Sequence, residues 1–262
     1  MSAPYSTSHG PFLASQIREG DPYELSNGHA IRCMPTGGRG SDAAATGAAV
    51  LKSDPDVDAA GVETGYSPTP DVLRAPDVAV GNVPREPGWV KGAPPLAVQY
   101  ADTGQDEADL ATKIRELLGA GTRLIWVVRL TGPRRVEVHE AGKEKRIVRP
   151  SEELRAPGIL RNPVPVEALY DWEVGQEVTL RNLLQRHGYD GLDAVRAEGE
   201  SRGEVDALRR SILEVFAARD LAVGEEVRAA IASCGDVNVL TRRLRQAATA
   251  TSAATILAGL SE

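Results

Sequence analysis

The chain has 262 residues, of which 42% are apolar and only 4% aromatic, so we expect a core of aliphatic side chains. Its formal charge is −7, with 37 acidic and 30 basic residues, which excludes a protein that binds polyanions over its whole surface. No apolar stretch could span a bilayer, residues 1–10 lack the apolar part of a signal peptide, and the two cysteines lie far apart, so we expect a cytoplasmic protein with no membrane partner.

The N-terminal part of the chain predicts a few small elements. Residues 1–20 are rich in Ser, Thr, Pro and Gly and predict a flexible arm. The turn dipeptide Asn27-Gly28 separates two short strand-like runs, which is typical of a β-hairpin. Thr36–Asp42 contains three glycines and predicts a loop, and Ala43–Leu51 predicts a short Ala-rich helix.

The central part of the chain carries the most informative pattern. It predicts, in order, a strand, a strand, a helix and a strand: Ala75–Val80, Pro94–Tyr100, Ala108–Leu118 and Leu124–Val128. Asp77 lies on the first strand and Gln99 on the second. Lys113 lies on the helix, beside its apolar stripe, so its stem could pack while its amine reaches a pocket.

The C-terminal part changes from strands to helices. Arg135–His139 and Lys145–Val148 predict another hairpin. From about Asp171 the strand signals end, and amphipathic patterns predict three helices: Gly203–Arg219, Gly224–Ser233 and Val237–Ala248. We therefore predict a flexible arm at residues 1–20, a domain at 21–172 and a helical region at 173–262.

These stretches resemble the Uma-type restriction endonuclease family, a branch of the PD-(D/E)XK nuclease superfamily. The similarity runs roughly from Pro22 to Leu169, and its parts are Tyr23–Gly28, Arg74–Val78, Pro95–Gln99, Lys113 and Gly121–Val128. The resemblance implies an α/β (α+β) fold of restriction-endonuclease type, with a mixed central sheet flanked by helices. In this chain a C-terminal α-helical tail would follow.

The resemblance also implies a Mg²⁺ site for hydrolysing phosphodiester bonds in DNA. Mg²⁺ prefers hard oxygen ligands, stabilises charge on the phosphate and lowers the pKa of an attacking water. By residue-wise transfer, Asp77 and Gln99 would be metal ligands and Lys113 the catalytic amine. Glu24 would be an auxiliary catalytic acid near the metal.

Four positions depart from the family pattern. The glutamate of the second strand is replaced by Gln99, whose amide is uncharged and cannot act as a base. The tyrosine of the helix is replaced by Leu117, and the acidic residue after the last strand by Arg129. The histidine that usually follows the first hairpin is absent. These changes around one pocket indicate an eroded active site.

A migrated carboxylate could replace the missing one. Asp102, Asp106 and Asp109 all lie between Gln99 and Lys113, although an acidic loop of this kind can also be simply solvated. Both interpretations stay open at the level of sequence.

Other kinds of site find little support. The four histidines are scattered, with no cysteine or acidic partner at ligand spacing, which argues against a zinc site. Gly37–Gly40 lacks the Gly-Lys-Ser/Thr ending of a phosphate loop. The basic cluster Arg242, Arg243 and Arg245 predicts the solvent-facing side of a helix.

Two hypotheses follow for function. The first is a Mg²⁺-dependent DNA endonuclease with an eroded site. The second is an inactive nuclease-fold scaffold whose helical tail mediates oligomerisation or binds a protein partner. The four departures and the negative net charge motivate the second. Apolar helix faces around Leu208, Ile212, Phe216, Leu240 and Leu244 also need burial, either against the preceding domain or against another subunit.

Overall fold

The computed structural model describes residues 10–256. Its centre is a six-stranded sheet in the order β3-β4-β5-β6-β7-β8. Only β5 and β6 are parallel, and every other neighbouring pair is antiparallel, so the sheet is mixed, as predicted. The strands are β3 Ala60–Val62, β4 Val78–Val80, β5 Leu96–Ala101, β6 Leu124–Arg129, β7 Arg135–His139 and β8 Arg146–Val148.

Two small strand pairs lie outside this sheet. β1 Tyr23–Ser26 and β2 His29–Arg32 form the predicted hairpin, and Asn27 and Gly28 both have positive φ, as a tight turn between such strands requires. Further along the chain, β9 Glu153–Leu154 pairs with β10 Val164–Pro165.

Helices cover both faces of the sheet. On one face, α1 Gly38–Ser53 and α3 Trp172–Arg186 pack over the alternate strand residues that include Val98, Trp126 and Val138. On the other face, α2 Glu107–Gly119 packs on Ala97, Ile125 and Val127 through Leu110 and Leu117. This arrangement of a mixed sheet between helices confirms the predicted fold class.

Helix α2 begins and ends where the sequence predicts. The Asp106 side chain accepts hydrogen bonds from the backbone N–H groups of Ala108 and Asp109, which is N-capping. At the other end, Gly121 has a φ of 108°, and the Thr122 N–H donates to the Leu117 carbonyl at 3.0 Å. These ends fix the position of Lys113 along the helix.

Three features differ from the sequence-based expectation. The glycines of the predicted loop at Thr36–Asp42 instead form the first turn of α1, which begins at Gly38. Strand β3 and helix α3 were not predicted. The predicted arm lies partly outside the described residues, and in its described part the Phe12 N–H donates to the Gly28 carbonyl at 2.8 Å.

The chain divides into two compact units after Gly188, on the C-terminal side of α3, whereas the predicted boundary, between residues 172 and 173, lies in the first turn of that helix. The second unit contains α4 Leu192–Ala218, α5 Glu225–Ser233 and α6 Val237–Thr249. These helices bury their apolar faces against one another in a separate core. Burial of these faces therefore needs neither the first unit nor another subunit. None of the helices in the described part of the chain has the length and apolar character that a bilayer crossing needs.

The contact of α1 with β5 gives a test of the packing. A Cβ at Gly47 would overlap the Tyr100 hydroxyl, which donates to the Leu169 carbonyl at 2.9 Å. We expect Gly47→Ala to lower the free energy of unfolding by about 1–3 kcal/mol, because the core cannot accept the methyl group without displacing Tyr100. Gly119→Ala is the control, since a Cβ there meets no atom within 4 Å. Equal stability of the two variants in urea denaturation would contradict this packing.

Candidate active site

Side chains from three distant parts of the chain meet near the start of β4. Glu24 lies on β1, Asp77 directly precedes β4, and Lys113 lies in the middle of α2. β1 lies beside the chain that enters β4, because Leu25 and Leu73 exchange backbone hydrogen bonds of 2.8 and 3.0 Å. The fold thereby brings these three predicted site residues into one charged cluster.

The Lys113 amine is fixed by two acceptors. Its Nζ donates to Glu24 Oε1 at 2.8 Å and to the Ala75 carbonyl at 2.6 Å. Burial alone would lower the pKa of Lys113, but the carboxylates of Glu24 and Asp77 outweigh this effect and raise the pKa above its usual value. Lys113 is therefore a protonated and oriented cation at neutral pH.

Arg74 is a second cation of the cluster, and its side chain has no exposed surface. Its Nη1 donates to Glu24 Oε2 at 2.9 Å and to Asp109 Oδ1 at 3.3 Å, and its Nε donates to Glu116 Oε2 at 2.5 Å. A buried charge persists only when matched partners replace its hydration. Arg74 therefore joins the first hairpin to α2. In the sequence, the feature that indicates a buried charge of this kind is that Arg74 is a single charged residue between apolar neighbours.

Glu24 divides its carboxylate between the two cations. Oε1 accepts from Lys113 and from the backbone N–H of Ala75 at 3.2 Å, while Oε2 accepts from Arg74. Burial alone would raise the pKa of Glu24, but Lys113 and Arg74 outweigh burial and hold the pKa below its usual value. Glu24 is therefore an ionised group that positions Lys113.

Asp77 directly precedes β4, at the point where the pairing between β4 and β5 ends. The ladder between these strands stops at Val98, and the Tyr100 N–H beyond it donates to Asp77 Oδ2 at 2.5 Å. Burial raises the pKa of Asp77, and although Lys113 and the Tyr100 N–H lower it, the result stays above the usual value. One oxygen of Asp77 thus has a structural role at the edge of the sheet.

Glu63 is a further carboxylate of the cluster, which sequence reasoning missed. It follows β3 with a φ of 51°, and its backbone N–H donates to the Asp77 carbonyl at 3.3 Å. Burial, and then the charge of Asp77, raises the pKa of Glu63 to about 7. Nothing in the run Glu63-Thr64-Gly65 distinguishes it from an ordinary turn, so only the fold reveals this pair of carboxylates.

A pocket with a volume of about 240 Å³ opens beside the two carboxylates. Its wall combines the ends of β3, β4 and β5 with the first turns of α1: Thr36, Gly40, Ser41, Ala44, Ala45, Val62, Glu63, Asp77 and Tyr100. Small side chains on α1 leave this space open. A small polar group could therefore approach Asp77 and Glu63 from solvent.

Gln99 is buried, with 7% of its surface exposed, so it does not lie on a solvated face of its strand. It lies opposite Val127 on β6, and continuing the β4–β5 register by one residue places it opposite Asp77. Its Nε2 has no hydrogen-bond partner among the described residues. A buried amide without a hydrogen-bond partner lowers the stability of the fold.

The oxygen atoms in this cluster are of the chemical type that binds a hard divalent cation. Asp77, Glu63 and Gln99 offer carboxylate and amide oxygens, and Mg²⁺ is commonly held by one or two carboxylates together with water. A cation would also relieve the repulsion that raises the pKa of Glu63. Within residues 10–256, no group of three or more His, Cys, Asp or Glu side chains is arranged as a metal site, so any ion would depend strongly on water and on the amide.

The three aspartates considered as migrated carboxylates have other partners. Asp102 pairs with Arg39 through both carboxylate oxygens. Asp106 caps α2, and Asp109 is directed to Arg74. None of them lines the pocket beside Asp77. Glu63 is the additional carboxylate that the fold places next to Asp77.

The remaining predicted features do not line the pocket. His29, His139 and His187 form no metal-binding group in the described part of the chain, and His9 lies outside it. Arg242 and Arg245 are exposed on α6, but Arg243 is buried, with 3% of its surface exposed, so its placement on the solvent face is wrong.

Comparison with known proteins identifies relatives of the first unit. The sequence model of the Uma2 family, described as "Putative restriction endonuclease", matches residues 11–165. A structural relative is titled "Crystal structure of a putative nuclease belonging to DUF820 from Anabaena variabilis ATCC 29413". It is 18% identical, with a TM-score of 0.53, and the match covers 62% of this chain and 99% of that one. No curated protein matches the chain.

The burial of Arg74 gives a test of the cluster. We expect Arg74→Met to lower the free energy of unfolding by about 3–5 kcal/mol, because Glu24 and Glu116 would lose their buried counter-charge. Arg115→Met, on the exposed side of the same helix as Glu116, should change it by less than about 0.5 kcal/mol. Urea denaturation measures both, and a small effect of Arg74→Met would show that the charges are solvated.

The pKa of Glu63 predicts a pH-dependent stability. Because its pKa is raised to about 7 in the folded protein, folding favours the protonated form, and stability is lost as the pH rises from about 4.5 through 7. Glu63→Gln should therefore be more stable than the wild type at pH 8, and the difference should shrink at pH 5. We expect a difference on the order of 1 kcal/mol at pH 8, because water screens the charge of this partly exposed group. Urea denaturation at the two pH values tests this, with Glu86→Gln on an exposed loop as control.

Proposed function

The chain belongs to the Uma2 family of restriction-endonuclease-type proteins, and from this membership we propose that it is a Mg²⁺-dependent endonuclease that hydrolyses phosphodiester bonds in DNA. The family supports a nuclease-like protein in general terms. The metal, the DNA substrate and the residues that act are parts of the proposal.

One observation carries the proposal: the meeting of Glu24, Asp77 and Lys113, which lie far apart in the sequence. Lys113 Nζ lies 2.8 Å from Glu24 Oε1, and the charges of Lys113 and Asp77 shift each other's pKa. A phosphodiester carries negative charge that increases during hydrolysis, so a site for it needs an anchored cation beside the groups that bind the metal. This cluster meets that requirement.

Asp77 and Gln99 would hold the ion, and Glu63, which lines the pocket together with Asp77, would add a second carboxylate. When bound, Mg²⁺ would supply positive charge for the phosphate and lower the pKa of the attacking water. Gln99 contributes an amide oxygen without charge, so we expect weaker metal binding and slower hydrolysis than a carboxylate at this position would give.

Lys113 would act as a hydrogen-bond donor and a positive charge. Its raised pKa keeps it protonated at neutral pH, so it is not a general base. Glu24 and the Ala75 carbonyl hold its amine in place, and the third N–H can orient the attacking water or the phosphate. Glu24 acts on the reaction through this positioning.

A second candidate is an inactive nuclease-fold scaffold. The neutral, unpartnered amide of Gln99 favours it, because the charge that a metal site of this kind needs is missing at a buried position. Assembly through the helical tail would be the function in this case. The internal core of α4, α5 and α6 means that such assembly would use their outer surfaces.

Nicking of supercoiled plasmid DNA distinguishes the two candidates. With Mg²⁺ or Mn²⁺ and enzyme in excess, we expect slow nicking by the wild type and none by Asp77→Asn. Gln99→Glu should nick at least about tenfold faster than the wild type, because a carboxylate on the second strand strengthens metal binding. The Asn side chain of the first variant can still accept from the Tyr100 N–H, so the fold should be kept.

Gln105→Glu provides the matched control for the gain of charge. Gln105 is exposed in the loop before α2, so the same substitution there should leave the rate unchanged. Absence of nicking by both the wild type and Gln99→Glu would exclude the endonuclease and favour the scaffold.

A further inference from the structure

The face of the sheet that α2 covers extends beyond that helix. α2 packs on β5 and β6, but the same side of β7 and β8 is open, and Ile147 there is 41% exposed. The strand register places a basic group of side chains on or beside this open surface: Arg129, Arg135, His139 and Lys145 surround Glu137. We call this surface the β7–β8 face.

Glu137 organises the β7–β8 face. It is buried, and its oxygens lie 3.1 Å from Arg129 Nε, 3.3 Å from Arg135 Nη2 and 3.2 Å from Lys145 Nζ. Arg129 also pairs with Glu107 of α2 through both terminal nitrogens. One carboxylate is therefore left to balance both Arg135 and Lys145, and the face keeps an excess of positive charge.

Both of these cations reach solvent. The side chain of Arg135 is 32% exposed and that of Lys145 is 45% exposed. A lysine amine has three N–H donors and a guanidinium has five, so contact with Glu137 leaves donors free on each. The ion pairs with Glu137 therefore hold Arg135 and Lys145 in place and leave N–H donors on both side chains available to a ligand.

The segment around this face is basic, in contrast to the chain as a whole. Residues 123–155 contain nine basic and five acidic residues, a net charge of +4, whereas the whole chain carries −7. The basic residues are Arg123, Arg129, Arg134, Arg135, Lys143, Lys145, Arg146, Arg149 and Arg155. A local basic surface on an acidic protein attracts a polyanion to one place.

The β7–β8 face lies on the same side of the sheet as Gln99. Gln99, Val127, Glu137 and Ile147 are direct neighbours on successive strands, so they form one row across the same side of the sheet. Strands are spaced by about 4.8 Å, which places Glu137 about 10 Å from Gln99. The row passes beneath α2, which covers Val127, and the pocket beside Asp77 is lined by residues of α1, so the β7–β8 face is a neighbouring surface and not a continuation of that pocket.

We propose that Arg135 and Lys145 on the β7–β8 face bind the phosphate backbone of DNA. The proposal rests on the proposed function for the identity of the polyanion, but binding through this face does not depend on hydrolysis. Contacts of this kind position a duplex without reading its sequence, and their strength falls as salt is added.

Fluorescence anisotropy with a short labelled DNA duplex, in EDTA so that no strand is cut, tests the proposal. We expect the double variant Arg135→Gln, Lys145→Gln to bind about tenfold more weakly than the wild type. The slope of log affinity against log salt should fall in magnitude by about 2, because two phosphate contacts are lost. Lys145→Gln alone alters a side chain that is 45% exposed, so it tests the same point without loss of folding.

The matched control is Arg242→Gln, Arg245→Gln, which removes the same charge from the exposed side of α6. It should leave affinity and salt slope unchanged. The proposal is wrong if the wild type does not bind the duplex at low salt, or if the α6 variant loses as much affinity as the β7–β8 variant. If the protein binds DNA through this face but does not nick it in Mn²⁺, only the endonuclease proposal is contradicted. If the protein nicks DNA and the Arg135 and Lys145 variant binds it as well as the wild type, only the present proposal is contradicted.

Discussion

Arg74 has no exposed surface, so its charge is stable only while carboxylates from two other segments surround it. Glu24 from the first hairpin and Glu116 from α2 meet this need. Because Glu24 also binds Lys113, the same contacts that stabilise the guanidinium set the position of the amine beside Asp77. The geometry of the candidate site therefore follows from a requirement of folding, and it would persist in a protein that had lost catalysis.

Two departures from the family pattern change the charge on one side of the sheet in the same direction. The resemblance implies an acidic residue at both positions: Gln99 would remove a negative charge from the row that crosses the strands, and Arg129, two residues beyond Val127 on β6, would reverse one. The first change weakens binding of a cation, and the second favours binding of a polyanion. Under the two proposals made above, both changes would favour phosphate over a metal ion on this side of the sheet.

The order β4, β5, α2, β6 could be predicted from the sequence because each element has its own local signal, such as the apolar stripe of α2. The same order placed Asp77 and Lys113 in one cluster. Glu63 could not be predicted, since β3 has three residues and pairs only with the distant β4. The start of α1 was predicted as a loop because it is rich in glycine, which disfavours a helix locally. The close approach of Tyr100 to Gly47, further along this helix, shows that packing favours small residues in α1.

Strand β8 forms one border of the sheet, and its free backbone groups could pair with a strand of another molecule. It is three residues long, begins with Arg146, and is flanked by Lys145 and Arg149. Short length and dense like charge both discourage such pairing, because two copies brought edge to edge would repel. The basic residues at this border thus have a second consequence: they protect the folded chain from self-association into extended sheets.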